Sequence, residues 1–469
     1  MDAPGKALLG GSETKEVRFS EIVSAFSFVL DMVEGQPEGH SVRTCYIGMM
    51  LGARLGLGEE DLSALFYALL IKDVGCSSNA SKISTLFGAE DFGVKRAFKL
   101  TDWSRLHETV LYAARNVRPD GTAWSRLKQF VTASKGGPKT TGELIQIRCD
   151  RGAEIARFMG FSEKTALAIR NLDEHHDGSG YPDGKRGDEI PLLARICGFA
   201  QTLEVFYTNY GTETAERMAR ARRRKWFDPG VVDAFLKDPG AVWKQLTHPE
   251  LERFVYSLEP QENTVKVTPR LIDLTAISFS RVIDAKSPFT YEHSAGVARM
   301  AVELGERLGF TKTENRNLWR AALLHDIGKL GISNTILDKP APLTREELAK
   351  VREHPRLTYE SLKRVPLLED LALVAASHHE KLDGSGYHRG VTGEYLGPAA
   401  RILTVADIYD ALAQARPYRK AMPREKIISI LRSDVRAGRL CPQTVEVLED
   451  VIREDPLCTE GLTGGDPEW

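Results

Sequence analysis

Metal-binding side chains are concentrated in the second half of this chain. They are five histidines and two aspartates: His293, His325, Asp326, His354, His378, His379 and Asp407. Imidazole together with carboxylate suits Fe, Mn, Ni or Zn, and not Mg or Ca alone. Two such ions about 3.5–4 Å apart can activate water and hold a phosphoryl group. The number of candidate ligands therefore favours a binuclear site for phosphoester hydrolysis.

No single one of these motifs is specific. His-Asp and His-His dipeptides arise by chance, and His354-Pro355 could simply begin a helix, because proline is tolerated in the first turn. The inference depends on the combination, since all of the motifs lie within one stretch of helical periodicity.

Helical periodicity runs along the whole chain and must position these side chains. In residues 293–310, one apolar stripe is formed by Val297, Met300, Ala301, Leu304 and Leu308. Alternation typical of a strand is confined to the short piece TVKVTP at 264–269. The sequence predicts an all-α fold.

The chain also contains an internal repeat. Residues 39–57 resemble residues 292–310, and DGSGY begins at both Asp177 and Asp383. The interval from His40 to Lys72 and that from His293 to His325 are both 32 residues. This self-similarity predicts two tandem helical bundles. The predicted limits are 18–242 for the first copy, 243–269 for a short connector, 270–453 for the second copy and 454–469 for a flexible tail.

Composition narrows the class of protein. The formal net charge of -2 provides no overall basic field for binding DNA or RNA. The six cysteines have no metal-like spacing, and the first residues lack the apolar core of a signal peptide. No uninterrupted apolar run is long enough to span a membrane. We expect a cytoplasmic protein without a membrane span.

The order of motifs in the second copy resembles the HD-GYP family of HD-domain phosphohydrolases. The string reads H…HDIGK…HP…HHE…DGSGY…VADIYDAL…RPYR over about 180 residues. The resemblance implies HD-type helical bundles that bind two, sometimes three, divalent ions, usually Fe or Mn. It also implies hydrolysis of cyclic dinucleotides, above all cyclic di-GMP, with cyclic GMP-AMP left open. The expected product is a linear 5′-phosphorylated dinucleotide, cut further to mononucleotides in some members.

The resemblance also assigns roles to individual residues. All seven histidines and aspartates named above would be metal ligands, with Asp326 bridging both ions. Lys329 would neutralise the scissile phosphate, and Asp410 would support catalysis from behind the ligands. Tyr387 would pack beside the pocket, and Arg416 and Arg419 would grip phosphate.

Three departures from the family pattern stand out. His388 replaces the proline of GYP, and Thr358 replaces the glycine of HPxxG. Phe289 holds the place where some members have a glutamate that binds a third metal. The last change favours two ions over three.

The first copy has lost most of the corresponding ligands. Lys72, Arg148 and Gln201 replace two histidines and the final aspartate, and Leu172 and Asp173 replace the His-His pair. The nearby His175-His176 pair is out of register with that position. A lysine ammonium has no lone pair for a metal. With His40 and Asp73 alone, we predict that this copy cannot hold a catalytic metal pair.

Other interpretations stay open on the sequence alone. The second copy could act on another nucleotide or phosphoester, or it could sense a cyclic dinucleotide or serve as a signalling scaffold without turnover. The first copy could have a structural or regulatory packing role, or it could bind a ligand. The sequence does not decide whether the chain forms a homodimer or binds signalling partner proteins.

Overall fold

The structure is a computed structural model that describes 18–101, 112, 116–117, 122, 124–125, 129, 137–260, 267–287, 292–414 and 420–454. Every regular element among these residues is a helix, and the extended pairing is limited to isolated bridges. The predicted all-α fold is confirmed. The first half of TVKVTP, Phe289 and nearly all of the predicted tail lie outside the described residues.

The described residues fall into two compact units. One contains 18–274 with 333–335, and the other contains 275–332 and the described residues from 336 onwards. Residues 251–257, within the predicted connector, form a helix that packs in the first unit against the helix His40–Arg54. The described residues of that predicted connector are therefore part of the first unit. The other predicted domain limits remain predictions.

Among the described residues, twelve α-helices precede the second copy. They are α1 Phe19–Val33, α2 His40–Arg54, α3 Glu59–Ile71, α4 Ala80–Phe87, α5 Asp91–Leu100, α6 Gly137–Phe158, α7 Glu163–Arg170, α8 Leu192–Tyr210, α9 Thr212–Arg222, α10 Pro229–Leu236, α11 Pro239–Leu246 and α12 Leu251–Ser257. Helix α2 packs against α3 and α8, and α3 packs against α7. No helix among the described residues is both long and apolar enough to cross a membrane.

The remaining helices carry the candidate ligands. They are α13 Pro269–Asp284, α14 His293–Arg307, α15 Lys312–Leu324, α16 Asn334–Leu337, α17 Arg345–Val351, α18 His354–Leu362, α19 Glu369–Ala376, α20 Pro398–Ala413, α21 Arg424–Arg436 and α22 Pro442–Glu454. A 3-10 turn, Ile327–Gly331, follows α15 and packs on α18. Helix α14 packs against both α15 and α20.

The two copies repeat the same helix lengths. Helices α2 and α14 have 15 residues each, and α3 and α15 have 13 each. The same isolated bridge closes the DGSGY loop in both copies, as Asp177–Arg186 and as Asp383–Thr392. These matches support the internal repeat that was inferred from the motifs.

A buried aspartate fixes the start of the helix that carries His293. The carboxylate of Asp284, at the end of α13, accepts a hydrogen bond from the Ser294 hydroxyl at 2.7 Å. In the first copy Asp31 accepts from the backbone N–H and the hydroxyl of Ser41, at 3.0 and 2.6 Å. Each aspartate thus serves as an N-terminal cap supplied by the preceding helix. Because the cap holds the first turn, the first histidine of each copy has a defined position.

A buried glutamate holds the DGSGY loop in each copy. Glu380 accepts hydrogen bonds from the backbone N–H groups of Arg389 and Val391, at 2.8 and 3.2 Å. In the first copy Glu174 makes the same pair of bonds to Asp183 and Lys185, at 2.6 and 3.0 Å. Both glutamates are almost completely buried. The loop therefore depends on a carboxylate with two acceptor oxygens.

We predict that Glu380→Gln lowers the thermal unfolding midpoint by several degrees. The amide replaces one acceptor oxygen with a donor, so one buried backbone N–H loses its partner, at a cost of about 1–3 kcal/mol. Thermal unfolding followed by circular dichroism measures the shift. Glu394→Gln, at an exposed position of the same loop, removes the same charge and is the control. Equal midpoints for the two variants would contradict this role.

Candidate metal centre

Five segments of the second copy bring the seven candidate ligands together. His293 is the first residue of α14, His325 directly follows α15, and His354 is the first residue of α18. His378 and His379 follow α19, and Asp407 lies in the third turn of α20. The ligands therefore come from helix ends that meet in the core, and five of the seven side chains are at most 1% exposed.

The ligand atoms include two groups of three that share no residue. Nitrogen and oxygen atoms of His293, His325 and Asp407 lie within 4.8 Å of one another. The second group consists of His354, His378 and His379, whose ring nitrogens also lie within 4.8 Å of one another. Each group has the size of a coordination sphere for one ion.

Asp326 lies between these two groups. Its Oδ2 atom is 3.6 Å from His293 Nε2 and 3.3 Å from His325 Nε2. Its Oδ1 atom is 3.4 Å from His354 Nε2 and 3.7 Å from His378 Nε2. One carboxylate thus directs one oxygen to each group, as a ligand shared between two ions would.

The ring orientations are fixed by hydrogen bonds on the far side of the imidazoles. The Nδ1 atoms of His325, His354 and His378 each lie 2.6–2.7 Å from the backbone carbonyl three residues earlier. His293 Nδ1 lies 2.6 Å from Asp410 Oδ2. Such contacts set the tautomer and point Nε2 at the metal position.

Several of the atoms that face the centre lack partners. The Nε2 atoms of His293 and His325 and the Oδ1 atom of Asp326 are buried, and each has no hydrogen-bond partner among the described residues. Unsatisfied buried polar atoms are costly. A cation coordinated by them would remove that cost, so the residues present fit a metal.

The pKa values divide the histidines into two classes. Burial lowers the pKa of His354 to about 3 and that of His379 to about 4, and it lowers the pKa of His378 as well. Burial acts the same way on His325, but the carboxylates of Asp326 and Asp407 outweigh it and raise its pKa to about 10. The first three rings offer neutral lone pairs, whereas His325 must lose a proton before it can bind a metal.

The structure also places the other residues singled out in the sequence. The Lys329 ammonium donates to Asp326, and its side chain is 18% exposed. The ring of Tyr387 lies against that of His379, with centroids 4.8 Å apart. Asp410 contacts His293 and not the centre itself. Arg416 and Arg419 lie outside the described residues.

The threonine at the HPxxG position makes two buried hydrogen bonds. Its hydroxyl donates to the carbonyl of His325 at 2.9 Å and accepts from the N–H of Gly328 at 3.1 Å. Gly328 packs so closely that an added Cβ would lie 2.0 Å from the carbonyl oxygen of His354. Thr358 therefore ties the turn that carries His325 and Asp326 to the start of α18.

In the first copy, side-chain cations occupy the corresponding space. Lys72 Nζ lies 3.1 Å from His40 Nε2 and donates to Asp73. Lys99 Nζ lies 2.7 Å from Glu34, 3.4 Å from Asp73 and 3.2 Å from the Gln201 amide oxygen. Burial alone would raise the pKa of Asp73, but the two lysines outweigh it and lower that pKa. We call these six residues, which surround Lys72 and Lys99, the lysine cluster.

Other first-copy residues complete this pattern. Arg148 forms an ion pair with Asp173, at the positions of His354 and His379. His175 stacks on Trp226, with ring centroids 4.2 Å apart, and its Nδ1 atom lies 3.0 Å from the Ser179 hydroxyl. His176 Nδ1 lies 3.9 Å from Asp228. These contacts of the histidine pair are with its own loop and the segment after α9.

Sequence reasoning missed two features of the second copy. One is Glu380, which could have been found because Glu174 and Glu380 both precede DGSGY by three residues. The other is Arg352, whose guanidinium carbon lies 5.2 Å from the centroid of the Tyr387 ring. No spacing rule identifies that arginine, because the contact joins the segment between α17 and α18 to the DGSGY loop.

Comparison with known proteins identifies the family to which the chain belongs. The model of the HD domain family matches residues 130–231 and 278–443, which is more than half of the chain. The 3′3′-cGAMP-specific phosphodiesterase 3 of Vibrio cholerae is 39% identical over 419 residues, covering 89% of this chain and 91% of that protein. The chain belongs to the HD-GYP branch of the HD-domain family.

A solved structure and a second curated protein are also similar to this chain. A crystal structure of a cyclic GMP-AMP specific phosphodiesterase of V. cholerae matches with a TM-score of 0.64 and 34% identity, over 94% of this chain and 98% of that chain. The cyclic di-GMP phosphodiesterase response regulator RpfG of Xanthomonas campestris is 37% identical over 193 residues, 41% of this chain and 47% of that protein. Enzymes of this HD family are metal-dependent hydrolases.

We predict that Thr358→Val destabilises the chain by about 1–3 kcal/mol, because the isosteric side chain leaves two buried backbone groups without partners. Thr358→Ser keeps the hydroxyl and is expected to lose less. Chemical denaturation of the metal-loaded protein provides the comparison. A valine variant that is as stable as the serine variant would argue against the hydrogen bonds.

We also predict that Lys72→Met destabilises the chain by about 3–5 kcal/mol, because it leaves the Asp73 carboxylate in a buried site with less compensating charge. The double variant Lys72→Met with Asp73→Asn should recover part of that loss. Unfolding free energies of the two single variants and the double variant form the test. Strictly additive losses would contradict the pairing.

Proposed function

We propose that the chain is a metal-dependent phosphodiesterase that opens a 3′3′-cyclic dinucleotide, cyclic GMP-AMP or cyclic di-GMP, in its second copy. The observation that carries the proposal is the position of Asp326 between two groups of three ligands. The similarity to a cGAMP-specific phosphodiesterase over nearly the whole chain supports the substrate class. The expected first product is a linear 5′-phosphorylated dinucleotide.

The proposal includes two divalent ions, with Fe or Mn preferred. His293, His325 and Asp407 would hold one, and His354, His378 and His379 the other, with Asp326 shared. This nitrogen-rich donor set favours first-row transition metals over Mg or Ca. When bound, the ions would activate water and neutralise charge on the phosphoryl group.

The surrounding residues would prepare the site for a phosphodiester. The Lys329 ammonium would contact a phosphate oxygen and give up part of its contact with Asp326. Its side chain is 18% exposed, so it can reach a substrate. Asp410 would hold the ring of His293 in place through Nδ1 and would not contact the substrate. The three backbone carbonyls behind His325, His354 and His378 would do the same for those rings.

We propose that the first copy binds no metal and has a structural or regulatory role. The lysine cluster supports this, because its ammonium groups already neutralise the acids that a cation would need. Ligand sensing by this copy remains the alternative. The cytoplasmic location, a homodimer and signalling partner proteins likewise remain predictions.

The test is turnover by protein purified without oxygen and loaded with Fe(II) or Mn(II). Cyclic GMP-AMP, cyclic di-GMP and cyclic di-AMP are offered separately, and the products are identified by mass. Wild-type protein should bind two ions per chain and form linear dinucleotide. Asp326→Asn should lower kcat on the order of 10³-fold, since ions at such sites supply several kcal/mol of transition-state stabilisation.

Asp73→Asn is the matched control, because Asp73 is the first-copy counterpart of Asp326. It should keep both ions and full turnover. A protein that holds two ions but opens none of the three cyclic dinucleotides would contradict the proposed substrate class and favour another phosphoester or a binding role. Loss of an ion in Asp73→Asn would contradict the metal-free first copy.

A further inference from the structure

The side chains of the metal centre differ in their exposure to solvent. The side chains of His293, His325, His354 and His378 are at most 1% exposed, whereas that of His379 is 26% exposed. Lys329, which contacts Asp326, is 18% exposed, and Asp410, which contacts His293, is 15% exposed. His379 and Lys329 are therefore the most exposed groups at the centre, and a substrate would enter past them.

Tyr387 extends this entrance away from the centre. Its ring packs on the His379 ring at 4.8 Å between centroids, with an angle of 37° between the planes. On the same tyrosine ring lies the guanidinium of Arg352, with its central carbon 5.2 Å from the centroid. Imidazole, phenol and guanidinium thus form a row that leads from the centre to the surface.

Arg352 brings an uncompensated charge to this row. Its side chain is exposed, and it forms no ion pair with a carboxylate of the described residues. The adjacent Glu353 does not pair with it, because that carboxylate accepts from Arg356 at 2.7 Å. A guanidinium held by a ring and free of carboxylates is well suited to bind phosphate with two parallel hydrogen bonds.

We infer that Arg352 binds the second phosphodiester of the substrate while the first lies over the metal centre. This inference rests on the proposed function. A cyclic dinucleotide has two phosphodiesters in one ring, so the one that is not cleaved lies a single nucleotide from the centre. The Lys329 ammonium would contact the phosphodiester that is cleaved, and the Arg352 guanidinium would contact the other.

The proposal separates substrates by their number of phosphates. Bis(p-nitrophenyl) phosphate has one phosphodiester and needs only the metal centre, whereas a cyclic dinucleotide needs both positions. Removing the Arg352 charge should therefore raise KM for cyclic dinucleotides and leave hydrolysis of the small ester unchanged. Because Arg352 touches no reacting atom, kcat for either substrate should stay close to that of the wild type.

The experiment compares Arg352→Gln, Arg352→Lys and Arg356→Gln in the full, metal-loaded chain. Arg352→Gln should raise KM for cyclic GMP-AMP and cyclic di-GMP about ten-fold, the lower range for a charged hydrogen bond. Arg352→Lys should restore part of the affinity, since it keeps the charge but not the bidentate geometry. Arg356→Gln removes the same charge from a residue on α18, four positions later in the chain, that Glu353 already neutralises, and it should match the wild type.

Three results would overturn the inference. An unchanged KM for Arg352→Gln, with normal wild-type turnover of cyclic dinucleotides, would overturn it and leave the proposed function standing. Equal losses on cyclic dinucleotide and on the small ester would assign Arg352 to the support of Tyr387 and the centre. Wild-type hydrolysis of the small ester without any turnover of cyclic dinucleotide would overturn the proposed function, and this inference with it.

Discussion

The carboxylate of Asp326 is the point on which the second copy is organised. It is buried between two groups of imidazoles, and each of its oxygens lies 3.3–3.7 Å from ring nitrogens of one group. A buried carboxylate is costly unless cations or donors surround it. The helix ends, the cap from Asp284 and the Thr358 hydrogen bonds all fix segments that supply those neighbours. The geometry of the core follows from the need to hold one negative charge among many nitrogens.

The first copy meets the same electrostatic demand with different chemistry. Asp73 is as deeply buried as Asp326, but ammonium groups of Lys72 and Lys99 compensate it. The loop after α7 keeps its bridge and its glutamate, so the scaffold persists where the ligands do not. Scaffold and chemistry are therefore separable in this fold, because the scaffold depends on residues other than the metal ligands, such as the buried glutamate and the capping aspartate of each copy.

The all-α fold and the internal repeat could be predicted from the sequence because both appear in it as periodic patterns. The order of the motifs along the chain was also sufficient to predict the seven candidate ligands. It could not supply the division into two groups of three, because that depends on which face each helix end presents. The contact between Arg352 and Tyr387 could not be predicted from the sequence either, because no helical spacing relates these two residues. The roles of Arg416 and Arg419 remain predictions, since both residues lie outside the described part of the chain.

The lysine cluster has a consequence for the history of the chain. Regaining a metal pair in the first copy would require new ligands at positions 72, 148, 172, 173 and 201, where the sequence has Lys, Arg, Leu, Asp and Gln. Exchanging Lys72 first would strand the charge of Asp73, and exchanging Arg148 first would strand that of Asp173. Either of these first substitutions would therefore lower the stability of the chain before any metal could bind. The predicted loss of catalysis in this copy would therefore be maintained by these ion pairs, because a return to metal binding would first lower the stability of the chain.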